Sequence, residues 1–298
     1  MASSTAFPAL VSPEWLKERL GHVKVLDANW YMPHMGRDAL AEYKAECIPG
    51  AQFFDLDGVC DKSTGLPHML PSEHQFAAAA DALGISNDDE VVIYDHAGIF
   101  SAPRAWWTWK VMGHHKVAVL DGGLPAWKGA GGHVSAPAAA DDATVHAATR
   151  AAQNPPPETR YKAQLAGDEV RTWQQVLDNT TSKVEQVMDA RPAGRFLGEA
   201  PEPRPNLPSG HIPGSVNVPF TNVLEDGRFK PTEQLRQVFG QAGVDLSQPI
   251  VASCGSGTTA CILVLAAQLA APGKKVAVYD GSWTEWGALP SVPREPRS

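Results

Sequence analysis

The segment 249–270, PIVASCGSGTTACILVLAAQLA, gives the strongest indication of the fold. Its first residues are mostly apolar and β-branched, which is typical of a buried strand. Cys254 ends this run, and two glycines and three hydroxyl residues follow it at 255–259. An apolar stretch then predicts a helix over 258–269, with Thr258 as a candidate cap. A strand, a tight loop and a helix in this order indicate an α/β fold with a parallel sheet.

Cys254 is a candidate nucleophile because of the loop that follows it. Backbone N–H groups of a tight loop and the positive end of a helix stabilise an anion. They therefore predict a lowered thiol pKa and a thiolate at neutral pH. The alternative is a small buried cysteine in a turn, and the loop composition favours the functional interpretation.

The loop is incompatible with a cysteine phosphatase. That chemistry needs an arginine six residues after the cysteine to bind phosphate bidentately, and Ala260 stands at this position. No residue of the loop is charged. The loop therefore suits a thiolate or a persulfide better than a phosphate.

Composition limits the classes of function. The chain has 298 residues, a length typical of two domains, and a formal net charge of −8. Such a charge disfavours nucleic-acid binding, which needs a basic surface. The four cysteines show neither a CxxC pair nor the spacing of a zinc site, and they suit a reducing compartment.

Targeting and membrane signals are weak. The longest mainly apolar run, 260–271, is too short to span a bilayer. No basic segment precedes the apolar residues near Met1, and the first 13 residues hold no arginine. We expect a protein that is not bound to membranes, located in the cytoplasm, or in the mitochondrion where a transit peptide has been removed.

Two halves of the sequence resemble each other, in the same order and separated by 159 to 164 residues. The matching pairs are VLDA at 25–28 and VMDA at 187–190, IPGA at 48–51 and IPGS at 212–215, and VAVLDGG at 117–123 and VAVYDGS at 276–282. Two copies indicate a duplicated domain rather than a solenoid. Asp95 stands in the first copy where Cys254 stands in the second. Because an aspartate cannot replace a thiolate nucleophile, we expect the first copy to be inactive.

The duplication predicts the organisation of the chain. We expect an N-terminal domain over 8–132, an extended linker rich in alanine and proline over 133–168, and a C-terminal catalytic domain over 169–292. Valine- and isoleucine-rich strands alternate with helices in both copies, which predicts two α/β domains, each a parallel sheet flanked by helices on both faces. Ligands of such sheets bind beyond the carboxyl ends of the strands, where Cys254 lies.

Three motifs carry a resemblance to a known family: CGSGTTA at 254–260, GHIPGS at 210–215 and DGSWTEW at 280–286. With them the chain resembles the two-domain rhodanese family of sulfurtransferases over about 10–289. The resemblance implies tandem rhodanese-like domains and transfer of sulfur from a donor, through a cysteine persulfide, to a thiol acceptor or cyanide. Reduced thioredoxin is among the acceptors it implies, and it implies no metal or organic cofactor.

The residues after Cys254 indicate the donor. Members of the family that use thiosulfate carry basic residues there, whereas this chain has Gly255 and Ser256 and is similar to members that use 3-mercaptopyruvate. We therefore expect 3-mercaptopyruvate as the donor and pyruvate as the product. Two alternatives are a thiosulfate:cyanide sulfurtransferase, which the uncharged loop disfavours, and a non-catalytic persulfide carrier, which Cys254 and the nearby arginines disfavour.

The resemblance also implies roles for two arginines in a loop rich in glycine and proline. Arg195 and Arg204 are expected to hold the carboxylate and keto group of the substrate, because a guanidinium binds a carboxylate bidentately. The alternative is that they pair with Glu199 and Glu202 or are solvated.

A proton relay is the remaining implied feature. Positions matching Asp57, His68 and Ser256 have that role in the family, and here His68 would polarise Ser256 to assist Cys254 or protonate the departing enolate. A histidine satisfied within its loop and a turn aspartate are the alternatives. The remaining loop residues are expected to surround the persulfide: Gly255, Gly257, Thr258 and Thr259.

Overall fold

The computed structural model describes residues 7–296. The chain forms two compact units. The first contains the chain up to Cys60 together with Pro71–Leu165, and the second contains Asp61–Leu70 together with the chain from Ala166 onward. A ten-residue segment of the first sequence copy, which we call the inserted loop (Asp61–Leu70), therefore belongs to the second unit.

The first unit is built on a five-stranded parallel sheet. Its strands are β1 (Leu10–Val11), β2 (Lys24–Asp27), β3 (Gln52–Phe53), β4 (Val91–Tyr94) and β5 (Val117–Leu120), in the spatial order β1-β5-β4-β2-β3. Every residue of β4 and β5 is buried. This explains their continuous apolar sequences, since a central parallel strand is covered on both faces.

Helices flank this sheet, and their starts follow from local sequence. They are α1 (Pro13–Arg19), α2 (Ala39–Ala45), α3 (Glu73–Ala82), α4 (Ala102–Val111), α5 (Gly123–Gly129), α6 (Asp142–Val145) and α7 (Ala147–Gln153), with a 3₁₀ turn at Pro33–Met35. Helix α3 begins with a capping box, in which Ser72 and Gln75 exchange side-chain and backbone hydrogen bonds.

The segment 133–168 contains secondary structure, whereas the sequence predicted an extended linker there. Helices α6 and α7 lie within it, and the chain belongs to the first unit up to Leu165. Asp141 caps α6 by accepting the Thr144 N–H at 3.0 Å, and α7 packs on α3. The sequence analysis interpreted the alanine-rich composition of this segment as that of a linker. In the structure the small alanine side chains allow α7 to pack closely on α3.

The second unit repeats the sheet of the first. Its strands are β6 (Val170–Arg171), β7 (Gln186–Asp189), β8 (Val216–Asn217), β9 (Leu224–Glu225), β10 (Arg228–Phe229), β11 (Ile250–Ser253) and β12 (Ala277–Tyr279). Five of them form a parallel sheet in the order β6-β12-β11-β7-β8, and β9 and β10 form an antiparallel hairpin. Strand β11, which leads to Cys254, is central and wholly buried.

The helices of the second unit are α8 (Trp173–Ser182), α9 (Ala193–Phe196), α10 (Thr232–Gln241), α11 (Ala260–Ala270) and α12 (Ser282–Trp286), with 3₁₀ turns at Gly167–Glu169 and Phe220–Val223. Trp283 and Trp286 of α12 are fully buried in a core with Val187 and Val251. Burial of an apolar side chain contributes roughly 1.5–3 kcal/mol, so these tryptophans fix α12 against the sheet.

Helix α11 starts later than the sequence predicted. The predicted range was 258–269, and the helix spans Ala260–Ala270. Its N-cap residue is Thr259, with helical dihedral angles and no side-chain hydrogen bond to the backbone. The Oγ1 of Thr258 is buried without a hydrogen-bond partner among the described residues. The expectation that Thr258 caps the helix is therefore wrong, because the turn places its hydroxyl in the interior.

A buried histidine makes the first unit sensitive to acid. The ring of His114 is fully buried between the Tyr161 hydroxyl (3.0 Å from Nδ1) and the Asp89 carbonyl (3.1 Å from Nε2). Burial lowers the pKa of His114 from 6.5 to about 4. The unfolded chain therefore binds a proton that the folded chain does not between these pH values, and the stabilising effect of a neutral His114 is lost as pH falls through this window.

We expect acidification from pH 7 to pH 4.5 to lower the free energy of unfolding of the native protein by about 2–3 kcal/mol more than that of a His114→Gln variant. Denaturant titrations at both pH values measure this difference. The exposed neighbour His115 offers a matched control, since His115→Gln should keep the native response. An equal loss in the native protein and His114→Gln would contradict the assignment.

Candidate active site

The backbone of Cys254 is held at the end of β11 by the turn after β12. Its N–H donates to the Ser282 hydroxyl at 3.2 Å, and its carbonyl accepts the Trp283 N–H at 3.0 Å. Ser282 in turn donates its hydroxyl to the Tyr279 carbonyl at 2.8 Å. Ser282 has a φ of +50°, a left-handed backbone conformation that is uncommon for residues other than glycine. The turn therefore accepts backbone strain at the point where it fixes Cys254.

The loop after Cys254 is fixed from both ends. The Gly255 carbonyl accepts the Thr284 N–H at 2.9 Å and the Thr284 hydroxyl at 2.6 Å. Gly257 has a φ of +79°, which suits glycine. Its carbonyl accepts the Cys261 thiol at 3.2 Å, so Cys261 has a structural contact of its own. Ser256 and Thr258 are buried within this loop.

Both predicted arginines lie beside the residue that follows Cys254. A Cβ placed at Gly255 would lie 3.0 Å from Nη2 of Arg195 and 4.0 Å from Nη1 of Arg204. Glycine at this position therefore provides the space in which two guanidinium groups approach the loop. The structure brings Arg195 and Arg204 to Gly255, the residue that follows Cys254.

A buried carboxylate, Glu202, holds the first of these arginines. Arg195 donates from Nε to Oε1 of Glu202 at 3.1 Å and from Nη2 to its Oε2. Glu202 Oε1 also accepts Nη1 of Arg191 at 2.8 Å, and its side chain is only 1% exposed. The sequence offered pairing with a glutamate as the alternative to a role of Arg195 in substrate binding. In the structure Arg195 both pairs with Glu202 and approaches Gly255.

The Arg191 side chain is buried between a carboxylate and an aromatic ring. It forms three hydrogen bonds of 2.6–3.0 Å with the Asp189 carboxylate and packs over the Trp283 ring at 4.5 Å. Burial alone would lower the pKa of Arg191, but the Asp189 and Glu202 carboxylates raise it above its ordinary value. The guanidinium is therefore charged, and it supports the loop from within the protein.

His68 lies on the inserted loop. Leu70 donates its N–H to Oδ2 of Asp280 at 2.8 Å, which ties this loop to the turn that also holds Cys254. His68 is buried and has a φ of +59°. A histidine in this conformation is unusual and indicates that neighbouring contacts determine its backbone. His68, Ser256 and Cys254 therefore belong to the same unit.

Asp57 belongs to the first unit, on the other side of the division at Cys60. Its Oδ2 accepts the indole N–H of Trp30 at 2.8 Å, and its own N–H donates to Asp55 Oδ1 at 3.0 Å. These contacts fit the turn that the sequence offered as an alternative.

In the first unit, the loop that corresponds to the Cys254 loop binds a carboxylate through its backbone amides. Asp95 occupies the position of Cys254, and its carboxylate accepts four backbone N–H groups. The donors are Ala97 to Oδ1 at 2.9 Å and Phe100, Ser101 and Ala102 to Oδ2 at 2.8–2.9 Å. A loop of this design therefore stabilises an anion with backbone groups alone.

Two residues that fix the loop after Cys254 were missed by sequence reasoning: Ser282 and Thr284. The signal for both was the DGSWTEW motif at 280–286, in which they are the third and fifth residues. Their contacts with Cys254 and Gly255 join positions 28 and 29 residues apart, and no local pattern shows such pairs.

Within residues 7–296, no group of three or more His, Cys, Asp and Glu side chains could hold a metal ion. None of the helices described there is long and apolar enough to cross a membrane.

The fold and the site together define a class: a duplicated α/β protein whose second copy carries a cysteine where the first copy carries an amide-bound aspartate. Residues 12–130 and 172–289 match the model of the rhodanese-like domain. The chain belongs to the rhodanese family, and the prediction of two tandem rhodanese-like domains is confirmed.

Named relatives agree with this assignment. The chain is 48% identical to thiosulfate/3-mercaptopyruvate sulfurtransferase 2 of Arabidopsis thaliana, over 95% of this chain and 85% of the relative. It is 46% identical to the mitochondrial thiosulfate/3-mercaptopyruvate sulfurtransferase 1 of the same plant, over 98% and 79%. Among solved structures, SseA from Escherichia coli, titled a 3-mercaptopyruvate sulfotransferase, matches with a TM-score of 0.77 and 36% identity over 92% of this chain and 98% of SseA.

Proposed function

We propose that the protein is a sulfurtransferase that takes sulfur from 3-mercaptopyruvate, carries it as a persulfide on Cys254 and releases pyruvate. The observation that carries this proposal is the approach of Arg195 and Arg204 to Gly255, beside a cysteine in an uncharged loop. Two guanidinium groups suit a small keto acid, since they can bind its carboxylate and carbonyl oxygens.

The first half of the reaction moves one sulfur atom. The arginines orient the substrate, and the Cys254 thiolate attacks its sulfur. The bond between that sulfur and the methylene carbon breaks, and the electron pair moves onto the departing pyruvate as its enolate. The enolate takes a proton to become pyruvate, and Cys254 is left as a persulfide. The ketone makes this bond breakable because it delocalises the charge of the leaving group.

The second half regenerates the thiolate. A thiol acceptor attacks the outer sulfur, the sulfur–sulfur bond breaks, and the electron pair returns to Cys254. Thiols such as that of reduced thioredoxin, and cyanide, are the acceptors we propose. The loop amides stabilise the charged sulfur between the two halves, and the four N–H groups on Asp95 in the inactive copy support this role.

The protonation of the enolate is assigned to Ser256 and His68. Both are buried in the second unit, and the inserted loop that carries His68 is tied to Asp280, two residues before Ser282. Gly257, Thr258 and Thr259 supply the wall of the persulfide pocket. Asp57 remains our proposed third member of the relay.

The two copies differ in their roles. The domain over 169–292 is the catalytic one, because it carries the cysteine and both arginines, and the domain over 8–132 is the inactive copy. A mitochondrial location is supported by the mitochondrial relative, and the cytoplasm is the alternative location we propose.

Thiosulfate is the second candidate donor, because the names of both plant relatives include it. Its reaction with Cys254 would form the same persulfide and release sulfite. The residues at 255 and 256 favour mercaptopyruvate, since they leave the loop without the positive charge that a dianion would attract.

Donor labelling followed by intact mass measurement tests the proposal. We expect incubation with 3-mercaptopyruvate, without an acceptor, to add one sulfur of about 32 Da to Cys254 and to release an equal amount of pyruvate. Thiosulfate should label much less in the same time. Preferential labelling by thiosulfate would favour a thiosulfate sulfurtransferase, and no labelling by either donor would favour a persulfide-binding protein without catalytic activity.

A further inference from the structure

Glu202 is buried at the candidate site although the substrate is an anion. Its side chain is 1% exposed and receives hydrogen bonds from Arg191 and Arg195. A buried carboxylate beside an anion site costs both desolvation and repulsion. Such a group calls for a functional explanation.

Glu202 is a secondary partner of Arg191, from which it accepts only Nη1. The Asp189 carboxylate binds Arg191 through both of its oxygens. The contact of Glu202 with Arg195 is the more extensive one. Glu202 takes up Nε and Nη2 of Arg195, along one edge of the guanidinium. This contact fixes the plane of the group, and the same Nη2 is the Arg195 atom that approaches Gly255, so Glu202 sets its position beside the loop.

Glu202 balances one charge of an ion-pair cluster at this site. Within the cluster, Asp189 and Glu202 offset the charges of Arg191 and Arg195, and Arg204 brings a further guanidinium beside Gly255. Loss of Glu202 would unbalance the cluster by a second positive charge, in addition to that of Arg204. Mercaptopyruvate carries one carboxylate, whereas thiosulfate carries two negative charges, so an added positive charge favours thiosulfate.

We propose that Glu202 is a specificity-determining residue, which cancels one positive charge and orients Arg195 so that the site prefers a monoanionic keto acid to a dianionic donor. The inference rests on the proposed function, since it concerns the same site. Glu202 does not touch the reacting atoms; it acts through Arg195.

A Glu202→Gln variant tests the role of the charge. We expect the ratio of kcat/KM for thiosulfate to kcat/KM for mercaptopyruvate to rise by about tenfold or more at low ionic strength, because a second positive charge attracts the dianion more strongly. The rise should shrink with added salt, which screens the charge. A purely structural role would lower both values together and leave their ratio unchanged.

Glu199→Gln is the matched control. Glu199 lies three residues earlier in the same loop and is exposed, so the variant changes the net charge equally without removing the partner of Arg195. We expect it to leave the ratio within about twofold of the native value, since exposed charges are well screened. An equal shift in both variants would mean that overall charge, not Glu202, sets the preference.

Glu202→Asp separates charge from folding. It keeps the carboxylate but shortens its reach, so we expect native donor preference with a raised KM for mercaptopyruvate. A shift toward thiosulfate in this variant, or an unchanged ratio in folded Glu202→Gln, would overturn the inference. Failure of the proposed function would look different: the native protein itself would transfer no sulfur from mercaptopyruvate.

Discussion

Replacement of Cys254 by serine is expected to abolish sulfur transfer, with a loss of at least about 10³-fold in kcat and no mass gain after incubation with mercaptopyruvate. A serine hydroxyl cannot form the persulfide, and it is a much weaker nucleophile than a thiol. The fold should tolerate the change, because the two contacts of Cys254 that hold it to the turn are made by its backbone. Continuous assay of pyruvate release and intact mass measurement report the two effects independently.

Cys261 provides the matched control for this experiment. It is buried seven residues later, and its thiol donates to the Gly257 carbonyl, a contact that a serine hydroxyl can also make. We expect Cys261→Ser to retain sulfur labelling and most of the turnover. Persulfide formation in Cys254→Ser, or its loss in Cys261→Ser alone, would refute the assignment of the nucleophile.

Replacement of Arg195 by alanine should have the next largest effect. Two charge-assisted hydrogen bonds to the substrate together contribute about 3 kcal/mol or more, which corresponds to about a hundredfold in kcat/KM for mercaptopyruvate. The loss should be larger for mercaptopyruvate than for a neutral alkylating reagent that reaches Cys254. Steady-state kinetics and the rate of Cys254 alkylation, measured in parallel, give this comparison.

Arg171→Ala is a suitable control for Arg195→Ala. Arg171 binds Glu185 through Nε and Nη2 at 2.9 and 2.7 Å, in the same geometry and in the same unit. Its loss should affect stability by a similar amount while kcat/KM stays near the native value. If Arg195→Ala and Arg171→Ala lowered kcat/KM equally, the substrate would have to be held by other groups.

Sequence reasoning located the central strands because their signal is continuous. The buried strand predicted before Cys254 coincides with β11, and the repeated VLDA and VMDA segments overlap β2 and β7. The edge strands β1, β3, β6 and β8 were not predicted, since each has two residues and neither length nor alternation distinguishes it from a loop. Their pairing with longer neighbours is what makes them strands.

The site was predictable where chemistry is local and not where it depends on distant contacts. Cys254 and its loop are recognisable from seven consecutive residues. The bond between Leu70 and Asp280 joins residues 210 positions apart, and the pair of Arg195 with Glu202 was only one of several options for either residue. Side-chain contacts of this kind follow from the folded backbone, and the sequence alone leaves them open.

Because of the inserted loop, no single cut of the chain separates the two units. Duplication of a domain normally yields two modules that can be separated by one cut between them. Here the second module includes ten residues encoded far upstream, within the first. A fragment that starts after Leu165 would have the sheet, the cysteine and the arginines, but it would lack His68 and the partner that Leu70 gives to Asp280. The two halves are thus copies in ancestry, but only the whole chain supplies every part of the second one.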